Sequence, residues 1–125
     1  MIVLAVAIAG GFGSLLRYTL DRLITRRNHT AFPLGTLSVN LLGATALGVL
    51  TALGNKGGLG GHDVTVIGTG LIGGFTTFST LIYESYFLIT QRGRRRLGMT
   101  NLAISFSGGL VFFFMALEIT LRLLS

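Results

Sequence analysis

Near the middle of the chain, residues 70–80 read GLIGGFTTFST, and this stretch decides the fold. It lies inside the segment Val64–Tyr83, whose 20 residues include no Asp, Glu, Lys or Arg. A membrane-spanning helix needs about 20 mainly apolar residues, so the segment is long enough to cross a bilayer. Glycine weakens a helix through backbone entropy, and Ser and Thr compete for its backbone hydrogen bonds. We therefore predict a membrane span that is broken in its middle.

Such a break at membrane depth is tolerated only where it is buried in protein or lines a water-filled path. Carbonyl groups that a break leaves free can hold a cation, as the unwound helices of transporters do. The alternative is that the hydroxyl groups of this stretch serve only helix packing. Gly70 and Gly74 also form a small-xxx-small pair, a spacing that lets helix backbones approach closely in lipid.

Three further segments of the chain are free of charge: Met1–Leu16, Thr30–Asn55 and Leu97–Leu117. We therefore expect a single all-α domain with four transmembrane helices, at approximately 2–22, 32–53, 64–90 and 98–123. Only 11% of the residues are charged and the mean hydropathy is +0.75, whereas a soluble domain carries about 25% charge. The absence of cysteine excludes a disulfide scaffold and a thiolate metal site.

The ten Lys and Arg residues divide unequally between the two sides of the predicted membrane domain. Eight lie on one side: Arg17, Arg22, Arg26, Arg27, Arg92, Arg94, Arg95 and Arg96. Lys56 and Arg122 lie on the other. The positive-inside rule then places both basic connections in the cytoplasm and both termini outside, in a multi-pass protein of the cell membrane. We interpret the net charge of +6 as loop charge at the lipid surface and expect no nucleic-acid partner.

Three polar side chains stand in or beside the predicted spans. Asn40 lies inside the second span, where its two N–H groups can form an interhelical hydrogen bond or donate to a permeant anion. Glu84 ends the charge-free part of the third span, where it can reach the interface, pair with an arginine or stand at a pore mouth. Arg17 is the basic residue nearest the bilayer, and a fixed cation there can steer anions into a vestibule.

At this point the chain resembles the Fluc (also called CrcB) fluoride channels. Three blocks carry the resemblance: GGFGSLLRY at 10–18, GTLSVNLLG at 35–43 and GLIGGFTTFST at 70–80. Together with the length and the short connections, they extend the resemblance over nearly the whole chain. The resemblance implies a dimer of two antiparallel subunits with two pores, which exports fluoride passively and relieves fluoride toxicity. It also implies a central sodium ion held by backbone carbonyls at the break of the third span.

The residues that match the family blocks take their expected roles by position. The sodium ligands would be the carbonyls of Gly73 and Thr76 from each subunit. The pore would be lined by Asn40, Phe78, Ser79, Thr80 and Glu84, with Arg17 in the vestibule. The chemistry suits fluoride, because amide and hydroxyl donors replace water and the edge of a phenyl ring is positive.

This chain departs from the family in two ways. The family continues with a second pore phenylalanine and a serine where this chain has Leu81 and Ile82. Each family pore takes one phenylalanine from each subunit, so a homodimer of this chain would have two incomplete pores. The unequal charge is a second departure, because a subunit that inserts both ways should show little bias. We favour a heterodimer with an oppositely oriented homologue, in which the pore at Leu81 is degenerate; a homodimer is the alternative.

Two other classes of membrane protein compete with this interpretation. A small multidrug transporter of four spans needs a carboxylate inside its first span. The four carboxylates here are Asp21, Asp63, Glu84 and Glu118, and we expect none of them inside that span. A non-conducting assembly subunit would explain the glycine content and the missing phenylalanine, but it would not require Asn40 and a hydroxyl-rich break together. No residues for bond chemistry converge, so we do not expect an enzyme.

Overall fold

Four long helical spans make up the protein. The computed structural model describes residues 1–125 and contains helices but no strands. The spans that are long and apolar enough to cross a membrane are Ile2–Arg27 (α1), Leu34–Asn55 (α2), Gly61–Thr90 and Arg95–Leu123 (α6). The third span is composite: α3 (Gly61–Thr65), a π-helical segment (Val66–Ile72), α4 (Gly73–Phe75) and α5 (Phe78–Thr90). The predicted all-α fold with four spans is confirmed.

The third span is interrupted inside the hydroxyl-rich stretch. Thr76 has φ −78° and ψ 158°, and Thr77 has φ −145° and ψ 119°, so both residues are extended. Helix α4 ends directly before them and α5 begins directly after them. The predicted break is therefore confirmed, and it is two residues wide. It divides the span into a first half, residues 61–75, and a second half, α5.

The helix ends differ from the expected bounds on the arginine-rich side. α1 continues to Arg27, beyond its expected end near residue 22, and it includes Asp21, which we did not expect inside the first span. Leucine and arginine favour helix, and the positive charges of Arg26 and Arg27 in the last turn stabilise the helix C-terminus. α6 begins at Arg95, so part of the expected basic turn is also helical. Pro33 directly precedes α2, at a helix start where the missing N–H of proline costs nothing.

Glycines bring α1 and the first half of the third span into backbone contact. A Cβ added at Gly13 would meet the Leu71 carbonyl oxygen and lie 2.9 Å from the Phe75 nitrogen. A Cβ at Gly74 would meet the carbonyl oxygen of Gly10. Gly70 lies in the π-helical segment, which the sequence did not predict, and faces α1 in the same way. The small residues therefore serve close helix packing, as their spacing indicates.

The second and fourth spans form the other major packing surface of the subunit. Gly48 of α2 lies against the backbone of α6 at Phe113, and a Cβ there would also lie 3.1 Å from the Cβ of Ala116. Only 17 of the 125 residues are buried, while many large apolar side chains, such as those of Phe12, Leu110 and Phe114, are more than half exposed. Lipid or a second subunit must cover this surface, because exposing so much apolar surface to water is energetically unfavourable.

The close approach at Gly13 gives a test of the helix packing. We expect Gly13→Ala to lower the free energy of unfolding by about 1–3 kcal/mol, because the new methyl group overlaps backbone atoms that cannot move aside. Thermal unfolding in detergent, followed by helical circular dichroism, measures the effect. Gly11→Ala is the matched control, since the space around a Cβ at Gly11 is open. Equal midpoints for the two variants would contradict the packing of α1 described here.

Candidate functional site

Asn40 of α2 pairs with the broken backbone of the third span. Its Nδ2 donates to the Thr77 carbonyl oxygen at 2.9 Å, and its Oδ1 accepts from the Thr77 N–H at 2.9 Å. One side-chain amide thus replaces the helical partners of both backbone groups of Thr77. Of the two roles that the sequence leaves open for Asn40, the interhelical hydrogen bond is present. The second N–H of the amide has no acceptor within the subunit.

The Thr77 side chain begins the second half of the span. Its Oγ1 accepts from the Thr80 N–H at 3.3 Å, which is the usual N-terminal cap of a helix. The same hydroxyl donates to Thr80 Oγ1 at 3.0 Å and lies 3.5 Å from Ser79 Oγ. Three hydroxyl groups therefore cluster at the positive end of the α5 dipole, where an anion is stabilised.

These same hydrogen bonds leave carbonyl oxygens without their helical donors. The Thr77 N–H, which would bond the Gly73 carbonyl in a regular helix, donates to Asn40. The Thr80 N–H, which would bond the Thr76 carbonyl, donates to the Thr77 hydroxyl. No backbone N–H donates to the Thr76 oxygen. The two carbonyls that the family resemblance names are therefore among those from which the break removes the regular partner.

Two grooves of the subunit meet at the break. The first is an open groove of about 340 Å³, and its lining includes Asn40, Gly73, Thr76, Phe78, Leu81, Ser105 and Phe106. The rings of Phe78 and Phe106 meet edge to face, with centroids 6.1 Å apart and an interplanar angle of 67°. Leu81, at the position of the second family phenylalanine, is only 4% exposed and packs within the subunit.

The second groove has a volume of about 220 Å³ and lies towards the arginine-rich end. It is lined by Arg17, Tyr18, Asp21, Thr36, Val39, Thr77 and Thr80. Arg17 Nε and Thr36 Oγ1 are buried there without a hydrogen-bond partner in the protein. Arg17 and Asp21 form no ion pair, although they are four residues apart on one helix; the only ion pair joins Arg122 and Glu118 at 2.8 Å. Arg17 thus forms no ion pair beside the break, although Asp21 lines the same groove.

Three of the predicted site residues lie outside both grooves. Ser79 and Ile82 are exposed on the outer surface of α5, where Ser79 stays within reach of the Thr77 hydroxyl. Glu84 lies one helical turn beyond Thr80, and its Oε2 is buried without a partner. It lines a separate pocket together with Arg94. The structure thus joins Asn40, Phe78 and the break in one groove and Arg17 with Thr80 in the other.

The sequence interpretation missed two polar residues of the fourth span. Asn101 is fully buried and donates from Nδ2 to Ser85 Oγ of α5 at 2.9 Å. Ser105, one turn further along α6, is 7% exposed and lines the first groove. Asn101 stands in a charge-free span as Asn40 does, so the same argument from the cost of an unpaired amide would have identified it.

The pairing of Asn40 with Thr77 leads to a prediction about backbone protection. We expect Asn40→Ala to accelerate hydrogen–deuterium exchange at the Thr77 amide by about tenfold or more, because an unpaired N–H loses the protection of its bond. Mass spectrometry of peptides covering residues 70–80 measures this rate. Thr45→Ala is the control, because the Thr45 hydroxyl bonds only the Leu41 carbonyl of its own helix. An unchanged exchange rate in Asn40→Ala would show that the hydrogen bonds between Asn40 and Thr77 are not formed.

Comparison with known proteins identifies the family. The family model described as "CrcB-like protein, Camphor Resistance (CrcB)" matches residues 4–117. "Fluoride-specific ion channel FluC 1" of Leifsonia xyli subsp. xyli is 44% identical over 106 residues, covering 85% of this chain and 77% of the relative. "Fluoride-specific ion channel FluC" of Aquifex aeolicus is 43% identical over 91 residues, covering 72% of this chain and 73% of the relative.

A third relative, "Fluoride-specific ion channel FluC 1" of Geobacillus kaustophilus, is 48% identical over 91 residues, covering 71% of this chain and 72% of that protein. The matched residues include all three sequence blocks that carry the resemblance. The resemblance is therefore confirmed, and this chain, a multi-pass protein of the cell membrane, belongs to the CrcB family.

Proposed function

We propose that this chain is a subunit of a channel that conducts fluoride passively out of the cell. The observation that carries the proposal is the break at Thr76 and Thr77, where an amide and three hydroxyl groups converge inside a membrane span. The names of the curated relatives, all fluoride-specific ion channels, support the choice of ion. The proposal assigns the pore to Asn40, Phe78, Ser79, Thr80 and Glu84.

Fluoride holds its water tightly, so a pore must supply donors in place of that water. The free N–H of Asn40 and the hydroxyl groups of Ser79 and Thr80 are suitable donors. The edge of the Phe78 ring carries partial positive charge, and 64% of this side chain is exposed beside the first groove. Each of these contacts binds fluoride more weakly than a full positive charge would, which allows the ion to leave as well as enter.

The entrance of the pathway is assigned to the second groove. Arg17 lies there with Thr80 and forms no ion pair with Asp21. A fixed positive charge in a cleft raises the local concentration of anions. Glu84 lies further along α5, and its role at the end of the pathway rests on position in the family pattern. Because its carboxylate has the same sign of charge as fluoride, Glu84 would have to move aside or be neutralised as the ion passes.

The proposal includes a structural sodium ion at the break. The residues fit the ion, because the carbonyls of Gly73 and Thr76 have lost their helical donors and Gly73 is exposed. A hard cation prefers such oxygen ligands. When bound, sodium would supply a fixed positive charge near the pore that favours an anion. The protein's own part is to hold the two carbonyls in place through the hydrogen bonds of Asn40 and Thr77.

The exposed parts of the break support a dimer. Ser79 and Gly73 are exposed at the depth where lipid tails would surround a single subunit. Irregular backbone does not face lipid, so a second subunit is expected to cover this surface. We propose an antiparallel arrangement on the family resemblance. We favour a heterodimer because Leu81 and Ile82 supply neither a ring edge nor a hydroxyl, and because the two ends differ strongly in charge.

Fluoride efflux from liposomes that contain the complex of this chain with its oppositely oriented homologue tests the pore assignment. We expect Asn40→Asp to reduce fluoride flux by at least about a hundredfold, because a carboxylate removes the free donor and repels the anion. A fluoride electrode measures the release. The control is Thr45→Ala, a hydroxyl deletion elsewhere in α2 that should leave the flux unchanged. Flux that survives Asn40→Asp would remove this residue from the pore and favour the non-conducting assembly subunit.

The heterodimer is tested by reconstituting this chain alone and together with an oppositely oriented homologue. We expect little fluoride flux from the chain alone and selective flux from the pair, because Phe78 then meets the partner's second phenylalanine. Cross-linking in the same liposomes reports whether each preparation contains dimers. Rapid, selective flux from the chain alone would establish the homodimer instead.

A further inference from the structure

A pocket at the arginine-rich end of the molecule borders the proposed fluoride pathway at Glu84 alone, and its other lining residues have no role in that pathway. It has a volume of about 200 Å³ and lies between the connection of α1 to α2, helix α5 and the turn before α6. Its apolar lining residues are Ala31, Pro33, Tyr83, Phe87 and Leu88. The exposed side chain of Arg94 stands at its rim, and Glu84 is its one acidic lining residue. The pocket therefore combines an apolar lining with one cationic and one acidic side chain.

Two aromatic side chains of this pocket, those of Tyr83 and Phe87, form a wall that is exposed on the surface of the subunit. The rings of Tyr83 and Phe87 are stacked, with centroids 6.5 Å apart and an interplanar angle of 17°. Tyr83 is 68% exposed and Phe87 is 51% exposed, so neither ring is used to fill the subunit core. Tyrosine concentrates where lipid tails meet head groups. This wall thus has the chemistry and the exposure of a surface against which an acyl chain packs.

The rim of the pocket carries positive charge that the protein does not neutralise. Arg94 donates from Nη1 to Gln91 Oε1 at 3.0 Å, which leaves most of its five N–H groups free. No carboxylate pairs with it, since the only ion pair of the subunit lies at Arg122. The neighbours Arg92, Arg95 and Arg96 are exposed as well. A phosphate is the group that such a cluster binds best, through charge-assisted hydrogen bonds.

One carboxylate also lines this pocket and limits where an anion can sit. Glu84 has a buried Oε2, so its charge opposes a phosphate in the interior of the pocket. The phosphate position is therefore the Arg94 side, at the rim. A free anion could use only that rim, whereas a lipid would use the rim for its head group and the aromatic wall for its chain.

We propose that this pocket binds an anionic phospholipid, with its phosphate on Arg94 and an acyl chain along Tyr83, Phe87 and Leu88. Basic pockets between membrane helices on the arginine-rich side suit anionic head groups, and each basic residue strengthens the attraction about fivefold. The bound lipid would fix the turn before α6 against the connection before α2. The inference does not depend on fluoride transport, because lipid retention is measured without an ion gradient.

Lipid retention by the purified full-length chain tests the proposal. The protein is equilibrated with mixed vesicles of phosphatidylglycerol and phosphatidylcholine, recovered in mild detergent, and its bound lipids are quantified by mass spectrometry. We expect Arg94→Gln to lower the ratio of bound phosphatidylglycerol to phosphatidylcholine about fivefold. Phe87→Ala should lower the total lipid retained, because part of the wall is lost. Lys56→Gln, an exposed cation at the opposite end, should change neither quantity.

Three results would overturn the proposal. The first is an unchanged lipid ratio in Arg94→Gln together with unchanged retention in Phe87→Ala. The second is an equal loss of preference in Lys56→Gln, which would show that general charge sets it. The third is displacement of the lipid by inorganic phosphate at millimolar concentration, which would show a simple anion site. Size-exclusion profiles that match the unmodified protein confirm that the variants are folded.

Discussion

The pairing of the Asn40 amide with the backbone N–H and C=O of Thr77 is the interaction on which the rest of the structure depends. A helix that stops inside a membrane leaves N–H and C=O groups without water, and each unpaired group is costly. Asn40 satisfies the N–H and the C=O of Thr77 from a neighbouring span. The Thr77 hydroxyl then starts a new helix by capping the Thr80 N–H. Together these bonds turn a helix break into a rigid, ordered element.

The chemistry of the candidate site follows from that element. Because donors are diverted to Asn40 and Thr77, the carbonyls of Gly73 and Thr76 lose their regular partners. The same arrangement gathers hydroxyl groups at the start of α5 and leaves one Asn40 N–H free for a ligand. A single break thus presents acceptors for a cation and donors for an anion within a few residues. That combination is what an anion pore beside a structural cation requires.

Much of this arrangement could be predicted from the sequence. The glycines and hydroxyls of residues 70–80 have unfavourable helix energetics that are local, so the break itself was predictable. The partner of Asn40 was not, because Thr77 lies 37 residues away and only tertiary packing brings the two together. The extension of α1 to Arg27 was missed because the charged residues after position 22 were interpreted as a loop. Arginine in fact favours the C-terminal end of a helix.

The burial of Leu81 also depends on packing that no local pattern contains. Its position predicts a lost pore contact, while the structure adds that the side chain is 4% exposed and fills space inside the subunit. Conversely, Phe78 remains 64% exposed beside the first groove, available to a second subunit. The two positions therefore differ in more than the presence of a ring. This asymmetry supports the proposed unlike partner, since the Phe78 side chain is accessible to a second subunit and the Leu81 side chain is not.

The most direct test of the central claim is a comparison of fluoride and chloride efflux from liposomes that contain the purified assembly. If the break held by Asn40 and Thr77 forms a fluoride pathway, fluoride should leave rapidly while chloride is retained, since the small donors at the break suit a small, strongly hydrated anion. Equal release of both ions, or retention of both by every assembly of this chain, would contradict the account.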